Sequence, residues 1–220
     1  MDYYFISDNY YYLLGIEHIA DKIDMSGNII CIDINEDLYD FHPAPGEVVV
    51  IAVTSNYLRQ RIMRFSELLW CRLIILLNAP ICRNSFQRIN PCIMPWKMPV
   101  KRLINSLHKF VMADVGYHSF SARNIKIIDQ LIKGRDVLTL SKQTGLSTKA
   151  IYSIRLNAFN KLGLSGCNTA TGLLLCRDIF EIMQLIADSG VKLFARNKTD
   201  CEMFDLRGFM FPVFIDEANF

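Results

Sequence analysis

The stretch from Phe120 to Leu164 constrains the fold more than any other part of this chain. Apolar residues recur there every three or four positions, and these runs are separated by residues that start or stop helices. Ser121 is suited to cap a first helix, and Gly134 is suited to end it in the left-handed conformation. A second apolar run begins at Val137 and ends near Gly145. The spacing therefore predicts a series of short helices.

A third helix follows a tight link. Ser147 is suited to cap this helix, and Leu146 before it has the spacing of a hydrophobic staple with Ile151. The link from Thr144 to Ser147 is therefore a helix-to-helix turn that contains a glycine. Two helices joined in this way, the second with a polar outer face, fit the helix-turn-helix unit whose second helix enters the major groove of DNA.

The same segment carries a one-sided charge. From Phe120 to Ser165 eight basic residues stand against Asp129 and Asp136, a net charge of +6, whereas the whole chain has only +2. The basic residues are Arg123, Lys126, Lys133, Arg135, Lys142, Lys149, Arg155 and Lys161. A local excess of this size is typical of a surface that neutralises phosphates and releases condensed counterions.

These residues give the segment its resemblance to a known family. It resembles the C-terminal helix-turn-helix of LuxR/NarL-type transcription regulators, and within that family the subgroup around RcsB and its auxiliary partners. The matching positions are Arg123, Gly134, Leu140-Ser141, Leu146-Ser147, Ala150-Ile151 and Lys161-Leu162-Gly163-Leu164. Two positions depart from the family pattern, Asn124 where a glutamate is frequent and Ile154 where a histidine is frequent.

The helix from Ser147 to Asn160 is the predicted DNA-reading element. A stripe of Ile151, Ile154 and Ala158 is expected to face the other two helices. We expect base contacts from the outward side chains Lys149, Tyr152, Ser153, Arg155 and Leu156, and phosphate contacts from Lys142, Thr148 and Lys161. Arg155 is the expected bidentate partner of a guanine. The alternative is an ordinary solvated helix face.

The remaining length calls for a second domain. A chain of 220 residues that is 51% hydrophobic has more apolar sequence than a three-helix unit buries. Four apolar runs read as strands, namely Tyr3–Ile6, Asn28–Asp33, Val48–Val53 and Leu73–Leu77, and helices are predicted over Asn9–Lys22, Asn56–Leu69 and Pro99–Met112. Continuously apolar strands separated by helices predict an α/β domain with a parallel sheet.

The family resemblance implies a receiver-like domain at this position, and its reactive groups are incomplete. Asp8 supplies one acid after the first strand, but Ala52-Val53-Thr54 stands where the phosphate-accepting aspartate is expected. Met94-Pro95 stands where a Lys-Pro pair is expected. We therefore expect a degenerate receiver that is not phosphorylated and serves as an interaction surface; the alternative is an unrelated α/β module.

Charge divides the N-terminal half. Residues 1–47 hold ten acidic residues and one lysine, a net charge of −9, and residues 48–119 hold ten basic and two acidic residues, a net charge of +8. These regions are expected to pair within the domain or with a second protein, or to remain two solvated surfaces.

A very apolar helix is predicted over Thr169–Ala187. The family resemblance implies that it packs on the DNA-binding unit and mates with its copy in a second subunit; the alternative is that it covers only its own core. Val191–Phe220 is rich in phenylalanine and is expected to form a short hairpin, an extended arm or a protein contact. The expected boundaries are a receiver-like domain over 1–112, a linker over 113–119, a helix-turn-helix domain over 120–190 and an extension over 191–220.

Compartment and chemistry follow from what the sequence contains. Seven dispersed cysteines, no C-x-x-C pair and no cationic signal region predict a reduced, cytoplasmic protein. The longest apolar runs fall far short of the roughly 20 residues that cross a bilayer. Four scattered histidines and the absence of a phosphate-binding loop favour a protein without catalytic residues, cofactor, metal or small-molecule ligand.

The sequence therefore predicts a transcription regulator that binds double-stranded DNA. It is expected to act as a homodimer or as the heterodimer partner of an RcsB-like regulator. The alternative is an interaction protein that sequesters a partner regulator and has little DNA affinity of its own.

Overall fold

The computed structural model describes residues 1–20, 27–36, 41–78, 89–113, 116–117, 120–164, 166–188, 193–194 and 203–204. The N-terminal part runs β1 (Tyr3–Ser7), α1 (Tyr10–Ile19), β2 (Ile29–Asp33), β3 (Val48–Ala52), α2 (Asn56–Ile62), a 3-10 helix (Ser66–Trp70), β4 (Arg72–Leu77), β5 (Ile89–Asn90), β6 (Cys92–Pro95), α3 (Val100–Met112) and β7 (Gly116–Tyr117). The C-terminal part runs α4 (Ala122–Ile132), α5 (Val137–Thr144), α6 (Thr148–Lys161), α7 (Thr169–Asp188), β8 (Leu193–Phe194) and β9 (Met203–Phe204).

Five strands of the N-terminal part form one parallel sheet in the order β2-β1-β3-β4-β6. Every residue of β1 and β3 is buried. Helices α1 and α3 pack on one face of the sheet, and α2 and the 3-10 helix pack on the other. Both faces are covered, which is why these strands are apolar without alternation. The predicted α/β domain with a parallel sheet is confirmed.

One predicted helix is wrong in its second half. Instead of a single helix over Asn56–Leu69, α2 ends at Ile62, the backbone is extended at Phe65, and a 3-10 helix follows. Leu68 and Leu69 of that 3-10 helix are both buried, so apolar contact offsets the interrupted helical hydrogen bonding. The first helix ends at Ile19, and its predicted end at Lys22 lies outside the described residues.

The three short helices α4, α5 and α6 and their predicted stops are confirmed. The Ser121 hydroxyl accepts a hydrogen bond from the Asn124 amide and so caps α4. Asp136 caps α5 by accepting from the Thr139 amide at 2.9 Å, and this hydrogen bonding, led by the Thr139 hydroxyl, lowers the pKa of the Asp136 carboxyl. Gly134 ends the first helix with φ at +79°.

The long helix α7 is covered by its own chain. It contacts α4 and α6 of the C-terminal part, and it also contacts α2 and the 3-10 helix of the N-terminal part. One apolar cluster includes residues from both parts, among them Ile62, Leu68, Ile179 and Ile182. In this arrangement α7 packs on the helix-turn-helix unit, as expected, and its neighbour on the other side is the N-terminal domain of the same chain.

The C-terminal extension and the linker are described only in part. Leu193–Phe194 and Met203–Phe204 pair as short antiparallel strands, and the rest of the extension lies outside the described residues. Gly116–Tyr117, within the predicted linker, pairs in parallel with Ile89–Asn90. Among the helices of the described ranges, none is long and apolar enough to cross a membrane.

Candidate nucleic-acid interface

Apolar side chains on the inner face of α6 fix its position against the core. Ile151 is fully buried, Ala158 and Phe159 are buried, and Ile154 is half-buried against the same core. The predicted inward stripe is therefore correct, and Phe159 extends it by one position. The Ser147 hydroxyl accepts from the Ala150 amide at 3.2 Å and satisfies one of the amide groups left free at the start of the helix.

The turn between α5 and α6 is fixed by local hydrogen bonds. Gly145 has φ at +67°, a left-handed conformation that glycine adopts without the steric cost of a side chain. The Ser141 hydroxyl donates to the Leu146 carbonyl at 2.6 Å, and the Thr144 hydroxyl donates to the Leu140 carbonyl at 2.7 Å. These bonds set the angle at which α6 leaves the turn, so the direction of its outer face is determined by the sequence around it.

The outer face of α6 forms an open surface concavity. Tyr152 and Leu156 are 48% and 53% exposed and lie next to each other on this face. The lining consists of Thr148, Lys149, Tyr152, Ser153, Arg155 and Leu156. All five residues predicted to contact bases therefore lie together on one surface with one of the three predicted to contact phosphates. This surface is called the α6 face below.

Arg155 is held by its neighbour on the α6 face. Its guanidinium carbon lies 5.0 Å from the centre of the Tyr152 ring, within the range of a cation–π contact. Such a contact is worth about 0.5–1 kcal/mol at an exposed site. The contact restricts the arginine to fewer conformations and leaves the two side chains side by side, Tyr152 about one turn and Arg155 about two turns from the start of α6.

The α6 face carries positive charge without internal compensation. The sequence of α6 contains Lys149, Arg155 and Lys161 and has no acidic residue. Among the ion pairs of the described residues, Lys149 and Arg155 have no carboxylate partner. By contrast, Lys133 on α4 is paired with Asp129 at 2.8 Å. Lys149 and Arg155 are therefore available to an external anion, whereas Lys133 is already paired.

The candidate phosphate contacts are more widely distributed. Thr148 lies in the first turn of α6 and lines the concavity, while Lys142 is exposed on α5. Lys161 lies at the end of α6, where its ammonium group is 5.4 Å from the centre of the Phe120 ring. Asn157 is also exposed on α6, and it does not line the concavity.

A second polar site lies at the carboxyl end of β1 and β3. The Asp8 carboxylate accepts from the Thr54 amide at 3.0 Å, the Thr54 hydroxyl at 2.7 Å and the Ser55 amide at 2.8 Å. Although partial burial acts to raise the pKa of Asp8, these bonds outweigh it and hold the pKa below its usual range. The backbone that follows β3 therefore bonds directly to the acid at the end of β1.

The other positions expected of a receiver contain no reactive group. Ala52, at the end of β3, is buried, and Val53 after it is buried as well. Met94 and Pro95 lie in β6, where Met94 is buried beside Leu76 of β4. Among the described residues, positions 52, 53, 94 and 95 thus supply neither a carboxylate nor an ammonium group beside Asp8.

No known protein-family profile matches this sequence, and no curated protein matches it either. Several solved structures are similar in arrangement. One holds two RcsB dimers bound to two parallel DNAs; identity is 16%, 81% of this chain and 98% of that chain are covered, and the TM-score is 0.42. RcsB from Salmonella enterica serovar Typhimurium bound to promoter rprA gives 14% identity, coverage of 83% and 99%, and a TM-score of 0.45.

The response regulator ChrA of a heme-sensing two-component system is similar at 13% identity, with coverage of 82% of this chain and 98% of that chain and a TM-score of 0.28. Because identity is low in each case, the residues and geometry of this chain itself carry the functional interpretation.

Proposed function

We propose that this chain is a sequence-specific DNA-binding transcription regulator and that α6 enters the major groove. The observation that carries this proposal is the α6 face, where the predicted base-reading side chains lie together on a capped and anchored helix that has no acidic residue. An α-helix fits the major groove, and a helix-turn-helix reads base edges with the first turns of its second helix.

The side chains of the α6 face fall into two roles. Arg155 presents a guanidinium fork suited to the two acceptors on the major-groove edge of guanine, while Tyr152 and Leu156 present apolar surface suited to a thymine methyl group. Lys149 and Ser153 are further base contacts in the same turns. Lys142, Thr148 and Lys161 contact phosphates, which fixes the position of the protein without reading the sequence.

The test is DNA binding by the full chain. Duplexes selected from a random pool supply a preferred sequence, and affinity is then measured over a range of salt concentrations. Log affinity should fall steeply and linearly with log salt, because binding releases counterions from neutralised phosphates. Arg155→Ala should lose about 1–3 kcal/mol of discrimination at one base pair. Lys161→Ala should weaken binding to all duplexes alike and flatten the salt dependence by about one unit.

Lys109→Ala is the matched control, because it removes one exposed lysine from α3, outside the helix-turn-helix. It should leave both discrimination and salt dependence unchanged. If Arg155→Ala and Lys161→Ala changed base discrimination and salt dependence in the same way, the roles assigned to the two residues would be contradicted. Binding without salt dependence, or no selected sequence at all, would contradict the proposal and favour the alternative, an adaptor that sequesters another regulator.

We further propose that the N-terminal domain is a receiver relative that works without phosphorylation. The carboxylate of Asp8 is engaged by Thr54 and Ser55, and Ala52 and Val53 offer no acceptor after β3. Incubation with Mg²⁺ and acetyl phosphate should leave the intact mass of the protein unchanged. A stable increase of one phosphoryl group that disappears in Asp8→Asn would refute this.

Two chains are proposed to bind one DNA site together. One recognition helix reads only a few base pairs, and two copies read half-sites about one helical turn apart. The protein is proposed to form a homodimer or to pair with a different regulator of the same kind. Light scattering of the complex with selected DNA should give two chains per duplex, and a single chain bound at full affinity would argue against it.

A further inference from the structure

A buried ion pair joins the two parts of the chain. Arg59 of α2 donates from Nε to Asp178 of α7 at 2.9 Å, although 119 residues separate them in the sequence. Their side chains are only 4% and 1% exposed. Charges buried to this degree contribute favourably only while both partners are present, because loss of one leaves the other buried and unpaired.

The rest of the network completes the hydrogen bonding of these two groups. Arg177 donates to the second oxygen of Asp178 at 2.8 and 3.1 Å, and the Arg59 guanidinium donates to the Asn56 side chain at 2.7 Å. Burial raises the pKa of Asp178, and the two guanidinium groups oppose that shift. With both oxygens engaged, the contact has a defined geometry and holds α7 at one position along α2.

The edge of the contact is polar and partly exposed. Glu181, one turn after Asp178, accepts from Gln60 at 3.1 Å and from Arg64 at 3.1 and 3.3 Å. The Arg64 side chain is 61% exposed and that of Glu181 is 27% exposed. Polar contacts between the domains of one chain resemble transient protein interfaces, which separate and rejoin. Two basic residues of the N-terminal half, Arg59 and Arg64, thus find carboxylate partners on α7, a pairing that the sequence did not predict.

The start of α2 is linked to the Asp8 site. The Ser55 hydroxyl caps α2 by accepting from the Leu58 amide, and the Ser55 amide donates to Asp8. Arg59 lies four residues after Ser55, one helical turn along α2. A continuous set of bonds therefore runs from the carboxyl end of β1, through the cap of α2, to Asp178 on α7.

We propose that the Arg59–Asp178 ion pair is a reversible contact that docks the helix-turn-helix part onto the N-terminal domain, and that Asp8 sets its strength through the cap of α2. When the ion pair is broken, the buried charge left without a partner outweighs the apolar contact of Ile62 and Leu68 with Ile179 and Ile182, and the two parts separate while each keeps its own fold. The N-terminal domain would then control α7, and with it the packing around α4 and α6, through α2 and without a phosphate.

The test measures docking without DNA, so that its failure is separate from failure of the proposed function. Small-angle X-ray scattering gives the radius of gyration of the full chain, and calorimetry shows whether the two parts unfold together. The wild type should be compact and unfold in one transition. Arg59→Met and Asp178→Asn should each expand the particle and split the transition in two, with the docked-to-undocked ratio lowered on the order of a hundredfold.

The double variant Arg59→Met with Asp178→Leu separates loss of docking from misfolding. It replaces the buried ion pair with apolar side chains of similar size, which is often neutral or stabilising, and should restore the compact particle. Glu181→Gln weakens only the exposed edge and should give a smaller shift of the same sign in a fully folded protein. Asp129→Asn is the matched control, since it removes an ion pair within α4, away from α2, and should behave as wild type.

Asp8→Ala tests the second half of the proposal. This variant should lower the docked-to-undocked ratio, as Asp178→Asn does, but by a smaller factor. In the Asp178→Asn background it should lower the ratio no further. Wild-type scattering and a single transition in both Arg59→Met and Glu181→Gln would overturn the docking contact. Docking that is lost in Asp178→Asn yet unchanged in Asp8→Ala would overturn the link to Asp8.

Discussion

Gly172 on α7 lies directly against Phe159 of α6. A Cβ atom added there would lie 2.4 Å from Cε2, 2.5 Å from Cζ and 3.0 Å from Cδ2 of Phe159. Phe159 is only 5% exposed, so its ring is enclosed by other side chains and can move only if they move as well. An atom at this distance forces either the ring or the helix to shift, and overpacking of this kind costs about 1–3 kcal/mol.

The substitution Gly172→Ala therefore sets two effects against each other. Replacing a helical glycine by alanine stabilises a helix by up to about 1 kcal/mol, and the clash with Phe159 opposes this gain. Gly15 of α1 provides the matched control, because a Cβ there meets nothing within 4 Å. Gly15→Ala should thus show the propensity effect alone. The difference between the two variants should equal the cost of the clash, about 1–3 kcal/mol.

Urea denaturation of both variants measures this difference in the free energy of unfolding. Gly172→Ala should also weaken DNA binding, because displacement of Phe159 shifts the helix that carries the α6 face. In the double variant Gly172→Ala with Phe159→Leu, the ring is replaced by a smaller side chain, which should relieve the clash and recover stability. If Gly172→Ala stabilised the protein as much as Gly15→Ala does, the close approach of α7 to α6 would be refuted.

Two further predictions concern stability. Hydrogen bonds hold the pKa of Asp8 below its ordinary value of about 3.9, so its ionised form stabilises the fold above that pH, and the contribution disappears as pH falls through the lowered value. Asp8→Asn should thus be less stable than wild type at neutral pH, with a gap that closes on acidification; a gap independent of pH would contradict this. Ser147→Ala should cost about 1 kcal/mol through loss of the cap of α6, and Ser147→Gly only a few tenths, both measured by thermal unfolding. An equal cost in both variants would exclude the capping explanation.

The helix-turn-helix was predictable because its signals are local. Ser121, Ser147, Gly134 and Gly145 each act on backbone groups within four residues, and the inward stripe of Ile151 and Ala158 follows from the helical period. The strands of the sheet were predictable because β1 and β3 are buried on both faces and are therefore apolar throughout. The helical period also predicted that Lys149, Tyr152 and Arg155, which are spaced by three residues, lie on one surface of α6.

The end of α2 at Ile62 could not be predicted from the neighbouring residues alone. The periodicity of Asn56–Leu69 is compatible with a continuous helix, and it is the contact of Leu68 and Leu69 with the sheet that favours the 3-10 helix. Close packing against a surface formed by distant strands outweighed the intrinsic preference of the segment.

The sequence by itself determined which residues cap the helices, end them and face outward in the helix-turn-helix. It also determined that Ala52, Val53 and Thr54, at the end of β3, carry no acidic group. Only the tertiary structure decided what covers α7 and where Arg59 and Arg64 find carboxylate partners. Arg59 and Asp178 are ordinary charged residues in their own helices, and nothing within a few residues of either specifies the other. Helical periods and caps act over one or two turns, whereas a buried ion pair exists only once folding has brought two distant segments together and excluded water from between them.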